Sequence, residues 1–192
     1  LSMSNVKSYW NEVKNSKPID AADAVKNPNQ SFFLALEDVS LDFRRGELTV
    51  IIGTVGSGKS ALLQALVEEL PVSSGTITRR YKTLAYACQE PWVMDGTVKE
   101  NITMGLALDE KWYTEVVNAC GLKMDFQQLR DGDQTIVGDR GVQCSGGQRA
   151  RIGLARSIYR DPDVLVADDP LSAVDSKVGR QLFHEAIHGL II

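Results

Sequence analysis

Eight consecutive residues, Gly53–Ser60 (GTVGSGKS), combine glycines, a lysine and a serine in a spacing that suits phosphate chemistry. The apolar run Leu48–Ile52 precedes them and is typical of a buried strand in a parallel sheet. Good helix formers with an apolar face follow over Ala61–Val67. Strand, glycine-rich loop and helix in this order are the context that a phosphate-binding P-loop requires. The alternative, a glycine-rich connection in another α/β domain, is disfavoured by the full match in this context.

The glycines and the lysine of the loop have separate roles in the predicted chemistry. Gly53, Gly56 and Gly58 lack a Cβ atom, so the backbone can adopt positive φ and turn its N–H groups toward an anion. The N-terminus of the following helix adds free N–H groups and a favourable dipole. We expect Lys59 to contact the β- and γ-phosphates and the Ser60 hydroxyl to bind Mg²⁺. The loop therefore predicts binding of a nucleoside triphosphate.

Two carboxylates, Asp168 and Asp169, follow a second apolar run, Val164–Ala167. In P-loop proteins, a strand beside the P-loop strand ends in an aspartate next to the metal. We expect Asp168 to hold Mg²⁺ through water and Asp169 to orient or polarise the attacking water. The alternative is a surface acidic pair at the end of a core strand, which the upstream P-loop disfavours.

A third candidate site is the start of a predicted helix that runs from Ser145 to Ile158. Ser145 is suited to cap this helix and offers a hydroxyl and an N–H group to an anion, while Gly146 and Gly147 permit close backbone approach. A Ser-Gly-Gly sequence alone more often indicates a flexible turn. Its position, just ahead of the helix and the Asp168 strand, favours the functional interpretation.

Composition limits the classes of function. The 192 residues suffice for one well-packed domain, and the net charge of −4 gives no general drive toward nucleic acid or an anionic membrane. Cys88, Cys120 and Cys144 lack metal-ligand spacing and favour a reducing compartment. No apolar run approaches the ~20 residues that span a bilayer. We expect the chain to be a piece of a longer protein, truncated at its C-terminus.

The remaining segments predict further strands, loops and a helical insert between Gln89 and Gln143. The N-terminal stretch Leu1–Trp10 predicts a strand that packs through Val6, Tyr9 and Trp10. Polar Asn11–Ser31 predicts a long loop or insertion. The other predicted elements are one or two strands over Phe32–Phe43, a turn over Pro71–Gly75, strands over Thr76–Thr78 and Thr83–Ala87, and helices over Thr97–Met104, Glu110–Ala119 and Met124–Leu129.

Together these motifs resemble, over nearly the whole chain, the nucleotide-binding domain of ATP-binding cassette (ABC) proteins. GTVGSGKS matches the Walker A motif, VLVADD the Walker B motif, and CSGGQ is similar to the LSGGQ signature. Gln89 matches the Q-loop and Ser172–Asp175 the D-loop. The runs QEPWVMDGTVKENITMG, CSGGQRARIGLARSIYRDPD and DDPLSAVDSKVG further resemble the first nucleotide-binding domain of the multidrug-resistance-associated (C) subfamily.

The resemblance implies an α/β fold of the ABC ATPase type: a P-loop NTPase core with a mixed or parallel sheet, an N-terminal antiparallel β subdomain and a helical insert. We expect one domain over 1–192. In it, 1–90 and 145–192 form the ATP-binding core with the β subdomain, and 91–144 forms the helical subdomain. ATP and Mg²⁺ are the implied cofactors.

The resemblance also implies a head-to-tail dimer with a second nucleotide-binding domain, in which the signature of each domain covers the other's ATP. Gln89 would contact the metal or water and relay nucleotide state to the insert, whose surface docks a coupling helix of the transmembrane domain. We expect the isolated chain to be monomeric, to lie at the cytoplasmic face of a membrane in its parent protein, and to bind no nucleic acid.

An aromatic residue of an early strand stacks on adenine in this family, and Trp10 fits best. Tyr9, Phe32 and Phe33 are rivals, and a core position for Trp10 is a further alternative. The implied ATP-binding residues are Trp10, Gly53, Thr54, Val55, Gly56, Ser57, Gly58, Lys59, Ser60, Ala61, Ser145, Gly146, Gly147 and Gln148. Ser60, Gln89 and Asp168 are the implied metal-binding residues, and Lys59, Gln89 and Asp169 the implied catalytic residues.

Three departures from the family pattern bear on turnover. Asp169 replaces the usual Glu, and the missing methylene leaves its carboxylate roughly 1 Å short of the attacking water, which can cost on the order of a hundredfold in rate. Cys144 replaces the usual Leu. Because Cys is also a small apolar residue, the packing can survive, although the helix start can shift. In the family, the switch histidine follows the strand after the D-loop, so we expect it to lie beyond Ile192. His184 and His188 do not match its position, and we interpret them as ordinary surface or packing residues.

These features predict an ATP-binding, weakly hydrolysing energy-coupling domain of an ABC exporter. The alternative is a regulatory nucleotide-binding module of an ABC-type channel or channel regulator, in which ATP occupancy biases a conformational equilibrium. A soluble cassette ATPase of DNA repair or translation is a third possibility. The net charge, the absence of a basic stripe and the segments of the C-subfamily type all disfavour it.

Overall fold

The computed structural model describes residues 1–11, 32–139 and 141–192 of the chain. They divide into two units, Leu1–Lys82 and Thr83–Ile192. Apart from Asn11, the predicted loop over Asn11–Ser31 lies outside the described residues. Within the described ranges, no helix has both the length and the apolar character needed to cross a membrane.

The first unit contains a three-stranded antiparallel sheet with strand order β2-β1-β3. Strand β1 (Ser2–Asn11) and strand β2 (Phe32–Asp42) confirm the strands predicted in these regions. The predicted turn over Pro71–Gly75 is wrong, because strand β3 already begins at Val72 and runs to Thr78. Gly75 lies within β3 at φ +88°, opposite an irregularity in the pairing with β1. Pairing with β1 thus overrides the turn signal of Ser73, Ser74 and Gly75.

Helix α1 (Lys59–Leu66) follows the glycine-rich loop, as predicted. Its apolar face packs against the sheet and forms the core of the first unit with Met3, Val6 and Leu36. The buried residues of the helix are Ala61, Leu62, Ala65 and Leu66. Burial of this face fixes the helix, and with it the loop that leads into its first turn.

The apolar run Leu48–Ile52 forms no strand in the structure, so the strand predicted there is wrong. The side chains of Leu48, Val50 and Ile52 are 46%, 67% and 88% exposed, while Ile51 is half-buried against the core of the first unit. A strand needs hydrogen-bonding partners on a neighbouring strand, which an apolar run alone does not supply. Across the described ranges, no strand pairs with this segment.

The second unit contains a parallel pair, strand β4 (Leu84–Ala87) with strand β7 (Val164–Ala167), and a short antiparallel pair, β5 (Gly96–Thr97) with β6 (Ile136–Val137). The helices are α2 (Val98–Thr103), α3 (Glu110–Ala119), α4 (Lys123–Gln128), α5 (Gly146–Tyr159) and α6 (Ser176–Gln181). A short 3₁₀ turn covers Gly132–Gln134, and a π-helical segment covers Leu182–Ile191.

The three helices predicted between Gln89 and Gln143 are confirmed: α2, α3 and α4 fall within the predicted amphipathic segments, apart from Lys123, the first residue of α4. Helix α5 lies at the centre of the second unit's core and buries Ile152, Leu154 and Ile158. His184 and His188 are exposed on the π-helical segment, in keeping with the prediction of ordinary surface residues.

Candidate functional site

The glycine-rich loop in the first unit has the geometry of an anion cradle. Gly56 and Gly58 adopt φ of +82° and +89°, a region that side chains disfavour. Gly53 does not have positive φ; there a Cβ atom would approach the Ser57 Oγ within 2.6 Å. The expectation of positive φ therefore holds at two of the three glycines, and a side chain at position 53 would displace the Ser57 hydroxyl. Residues Gly53–Ser57 are exposed, so the loop is accessible to a phosphate.

Lys59 is the first residue of α1, and its side chain turns back onto the loop. Its ammonium group donates hydrogen bonds to the carbonyl oxygens of Gly53 (2.9 Å) and Thr54 (2.8 Å). Gly58 precedes the helix without a side-chain cap, and the first turn carries no acidic residue. The helix N-terminus therefore has no acidic side chain of its own to compete with a bound anion.

In the second unit, Gln89 and the two aspartates leave the sheet at the same edge. Strands β4 and β7 are parallel and in register, so Ala87 pairs with Ala167, and the Asp168 amide donates to the Ala87 carbonyl oxygen (2.8 Å). Asp168 is 9% exposed. In the described structure, the Asp168 strand thus pairs with the Gln89 strand, whereas the sequence placed it beside Leu48–Ile52.

A cavity of about 60 Å³ lies beyond this edge, lined by Gln89 and Asp169 together with Trp92 and Arg156. That volume holds a few water molecules but no nucleotide. Gln89 and Asp169, two of the predicted catalytic residues, thus line one cavity with room for water.

Asp169 has a left-handed backbone conformation, with φ of +49°. Asp and Asn tolerate this region better than most residues with side chains. The turn is held by Ser172, whose amide (3.2 Å) and hydroxyl (2.8 Å) both donate to the Asp169 carbonyl oxygen. The D-loop continues to Asp175, whose carboxylate caps α6 by accepting from the amides of Val178 and Lys177, which lowers the pKa of that carboxyl.

The signature segment, Ser145–Gln148, forms the first turn of α5 with Ser145 as its cap, as predicted. The Gln148 amide donates to the Ser145 hydroxyl (3.2 Å), and the Ser145 amide donates to the Gln148 side-chain oxygen (2.9 Å). This reciprocal capping box keeps the helix start in place despite Cys144. Cys144 is half-buried beside the core, and burial raises the pKa of its thiol.

Gly147 lies where α5 meets the D-loop. A Cβ atom at this position would lie 3.2 Å from the Ala173 carbonyl oxygen and 3.4 Å from the Arg151 Nη1, whereas one at Gly146 would meet nothing within 4 Å. The two glycines thus have different roles: Gly147 is required for packing within the domain, and Gly146 leaves the surface open.

The adjacent glycines provide a matched test of this contact. Gly147→Ala is expected to be less stable than Gly146→Ala by about 1–2 kcal/mol, because the carbonyl and the guanidinium must move away from the new methyl group. Gly146→Ala should be as stable as the wild type or more stable by up to about 1 kcal/mol, since alanine has the higher helix propensity and nothing opposes its methyl group. Urea unfolding measures both values. Equal effects of the two substitutions would contradict the assigned packing role.

The segment after Gln89, which contains Trp92 and Met94, is bound to α2 and α5 by side-chain contacts. Arg156 stacks over the Trp92 ring (3.8 Å to its centre), and its Nε donates to the Asn101 carbonyl oxygen (2.7 Å). Asn101 is fully buried; its side chain accepts from the Met94 amide (2.9 Å) and donates to the Met94 carbonyl oxygen (3.0 Å). Burial lowers the pKa of the Arg156 guanidinium. Sequence reasoning missed Arg156 and Asn101, because partners so distant in the chain leave no local pattern.

Trp10 lies near the end of β1, opposite Phe33, and is 42% exposed. It therefore has a face available for stacking and does not occupy a core position. Among its rivals, Phe33 is 55% exposed and Tyr9 is half-buried beneath the Lys7 ammonium. The side chain of Phe32 lies outside the described residues.

The oxygen donors Ser60, Gln89 and Asp168 have the chemistry that Mg²⁺ prefers, since this ion binds through a few protein oxygens together with water and phosphate. They belong to different units, Ser60 to the first and the other two to the second. In the described part of the chain, no three His, Cys, Asp or Glu side chains gather into a metal-binding cluster.

Comparison with known proteins places these motifs in a family. The sequence model described as "ABC transporter" matches residues 36–172, more than half of the chain. The chain is 49% identical over 152 residues to ATP-binding cassette sub-family C member 4 of Mus musculus, covering 79% of this chain and 11% of that protein. It is 43% identical over 180 residues to the ABC-type transporter cicA of Emericella nidulans, covering 94% and 12%.

A third relative is a probable multidrug resistance-associated protein, lethal(2)03659, of Drosophila melanogaster, 45% identical over 163 residues and covering 85% of this chain and 12% of that protein. The chain thus spans a small part of the length of each of these relatives. The matched region contains the P-loop, Gln89, the signature segment and both aspartates. The chain therefore belongs to the ABC transporter family, as a nucleotide-binding domain of the C-subfamily type.

Proposed function

We propose that this chain is the ATP-binding, weakly hydrolysing energy-coupling domain of a multidrug-resistance-associated type exporter. The observation that carries the proposal is the exposed anion cradle at Gly53–Ser60, with Lys59 held at its mouth. ATP would bind through the loop amides and the Lys59 ammonium. Trp10 would stack on adenine with its exposed face.

Mg²⁺ would be held by the Ser60 hydroxyl, Asp168 and Gln89, and when bound it neutralises charge between the β- and γ-phosphates. Gln89 would then orient the water that attacks the γ-phosphate, and Asp169 would polarise it. The cavity that these two side chains line has room for that water. The shorter Asp169 side chain makes this a slow site.

The signature segment would contact the nucleotide of a second nucleotide-binding domain in a head-to-tail dimer. Its exposed Gly146 and the Ser145 cap at the N-terminus of a 14-residue helix support this assignment. ATP binding would close the dimer, and hydrolysis or release would reopen it. The coupling helices of a transmembrane domain, at the cytoplasmic face of the membrane, would receive this motion through the insert.

A regulatory module of an ABC-type channel or channel regulator is the second candidate function. Asp169 favours it, because a site that holds ATP for long periods suits regulation by occupancy. The two functions differ in the full-length protein. An exporter moves substrate against a gradient in the presence of ATP, whereas a channel conducts down a gradient while ATP is bound.

The slow-site proposal is tested by extending the carboxylate. In the full-length protein, with its second domain present, Asp169→Glu should raise the ATP turnover of this site about tenfold or more, because the added methylene carries the carboxylate toward the water. The initial rate at which vanadate traps nucleotide at this domain provides the measurement. Asp169→Asn is the matched control: it keeps a residue that tolerates the left-handed backbone, lacks the charge and should lower turnover. Unchanged turnover in Asp169→Glu would contradict the proposed defect.

A further inference from the structure

A single carboxylate, that of Asp125, joins the signature segment to helix α4. Asp125 Oδ1 accepts a hydrogen bond from Gln148 Nε2 (3.1 Å), and both carboxylate oxygens accept from Arg151 Nη2 (2.8 and 2.7 Å). The Arg151 and Asp125 side chains are 15% and 13% exposed. Charge-assisted hydrogen bonds that are shielded from water hold their geometry firmly. The hydrogen bonds to Asp125 therefore hold Gln148 and Arg151, in the first turns of α5, in place.

The Gln148 side-chain amide is held at both of its ends. Its oxygen accepts from the Ser145 amide (2.9 Å), and its nitrogen donates to Asp125. A reversed amide would turn its NH₂ group toward the Ser145 N–H and its oxygen toward the Asp125 carboxylate, and both contacts would be repulsive. Asp125 therefore selects the one orientation of Gln148 that completes the capping box.

The same group of residues limits the position of Gly147. The Arg151 Nη1 lies 3.4 Å from the place that a Gly147 Cβ would occupy, and the guanidinium is anchored by Asp125. Asp125 thus acts on Ser145 through Gln148 and on Gly147 through Arg151. Both contacted residues belong to the signature segment.

We propose that Asp125 is a positioning residue for the signature segment, one that sets the geometry in which Ser145, Gly147 and Gln148 meet the nucleotide of the partner domain. The inference rests on the proposed function, because it requires that segment to bind the partner's nucleotide. Since Asp125 belongs to α4 of the helical insert, a displacement of α4 is passed directly to the signature segment. Within the described part of the second unit, the Asp125 carboxylate accepts hydrogen bonds from Gln148 and Arg151 and has none with Asp168 or Asp169.

The experiment uses the full-length protein with both nucleotide-binding domains and takes two readings. Photolabelling with 8-azido-ATP, resolved by domain, measures the affinity of this domain's own site. Energy transfer between fluorophores on the two domains measures their ATP-driven closure. Asp125→Ala should raise the ATP concentration for half-maximal closure about tenfold, the size expected when a hydrogen bond to a charged group is lost. The affinity of the domain's own site should change less than about twofold.

Three further variants separate positioning from general stability. Asp125→Asn keeps one acceptor oxygen and should fall between Asp125→Ala and the wild type. Asp131→Asn is the matched control, because it removes the same charge from the same insert. Asp131 is exposed, and its side chain makes no capping hydrogen bond to the following 3₁₀ turn, so closure should be unchanged. In a Gln148→Ala background, Asp125→Ala should have a smaller effect than in the wild type, since the part that acts through Gln148 is already lost and only the part that acts through Arg151 remains.

The outcomes discriminate between the two proposals. Failure of the wild-type domains to close with ATP would overturn the proposed function itself. If the wild type closes and Asp125→Ala closes at the same ATP concentration, the positioning role is wrong. It is also wrong if Asp125→Ala weakens own-site labelling as much as closure, or if its effect simply adds to that of Gln148→Ala.

Discussion

Lys59→Ala is expected to weaken MgATP binding at this site by at least about a hundredfold, beyond detection in an ordinary titration. In the proposed binding mode, the Lys59 ammonium would donate two charge-assisted hydrogen bonds to phosphate, each contributing about 1.5–3 kcal/mol, and the substitution would remove both. The substitution also releases the carbonyl oxygens of Gly53 and Thr54, to which the ammonium is bonded. The main chain of the loop, which shapes the cradle, thereby loses two internal hydrogen bonds. Isothermal titration of the chain with MgATP measures the change.

The control for this prediction removes a lysine of equal charge elsewhere. Lys111 lies on α3 with its side chain 90% exposed. Lys111→Ala should bind MgATP like the wild type, because it alters the net charge by the same amount without changing the loop. Both variants should unfold at the wild-type urea concentration, since the loop is exposed and contributes little buried surface. Retained micromolar binding in Lys59→Ala would contradict the P-loop assignment.

Features of the site that depend on residues close in the chain could be predicted from the sequence. Ser145 and Gln148 are three residues apart, and their capping box follows from the residue types alone. The same holds for Thr97 and Glu100 at the start of α2, where the Thr97 amide and hydroxyl lower the pKa of the Glu100 carboxyl. The starts of α2 and α5 can therefore be predicted from the sequence, and so can the position of the signature segment at the start of α5.

Features that depend on distant partners could not be predicted in the same way. An apolar run such as Leu48–Ile52 fits a buried strand, but strand pairing is decided by a neighbour that the run itself does not specify. In the second unit, β4 and β7 do pair, although 76 residues separate Ala87 from Val164 in sequence. Their parallel alignment is what brings Gln89 and Asp169 to one cavity.

Side chains that hold the motifs in place were also hidden from sequence reasoning. Asp125 resembles an ordinary acidic residue in the first turn of a short helix. Its hydrogen bonds to Gln148 and Arg151 span 23 and 26 residues. Local patterns identify the residues that meet a ligand, whereas the residues that orient them become visible when distant helices are packed together.

Arg156→Ala should lower the free energy of unfolding of the second unit by about 2–3 kcal/mol. The cation–π contact with Trp92, worth about 0.5–1 kcal/mol because the Trp92 side chain is 48% exposed, is lost. The Asn101 carbonyl oxygen also loses a donor at 2.7 Å, and a buried polar group left without that donor costs about 1–3 kcal/mol. The Asn101 side-chain oxygen loses a donor at 3.1 Å but keeps the Met94 amide. Urea unfolding followed by tryptophan fluorescence gives the value, and Trp92 itself reports the loss of the stacked guanidinium.

Arg160→Ala is the matched control for Arg156→Ala, because Arg160 is exposed at the end of the same helix and carries the same charge. It should change the free energy of unfolding by less than about 0.5 kcal/mol. Arg156→Lys should fall between the two, since it keeps the cation but loses the planar set of donors that serves Asn101 and Trp92 together. If Arg156→Ala and Arg160→Ala unfold at the same urea concentration, Arg156 does not fasten the segment after Gln89. In that case, Gln89 must be held beside Asp169 by β4 alone.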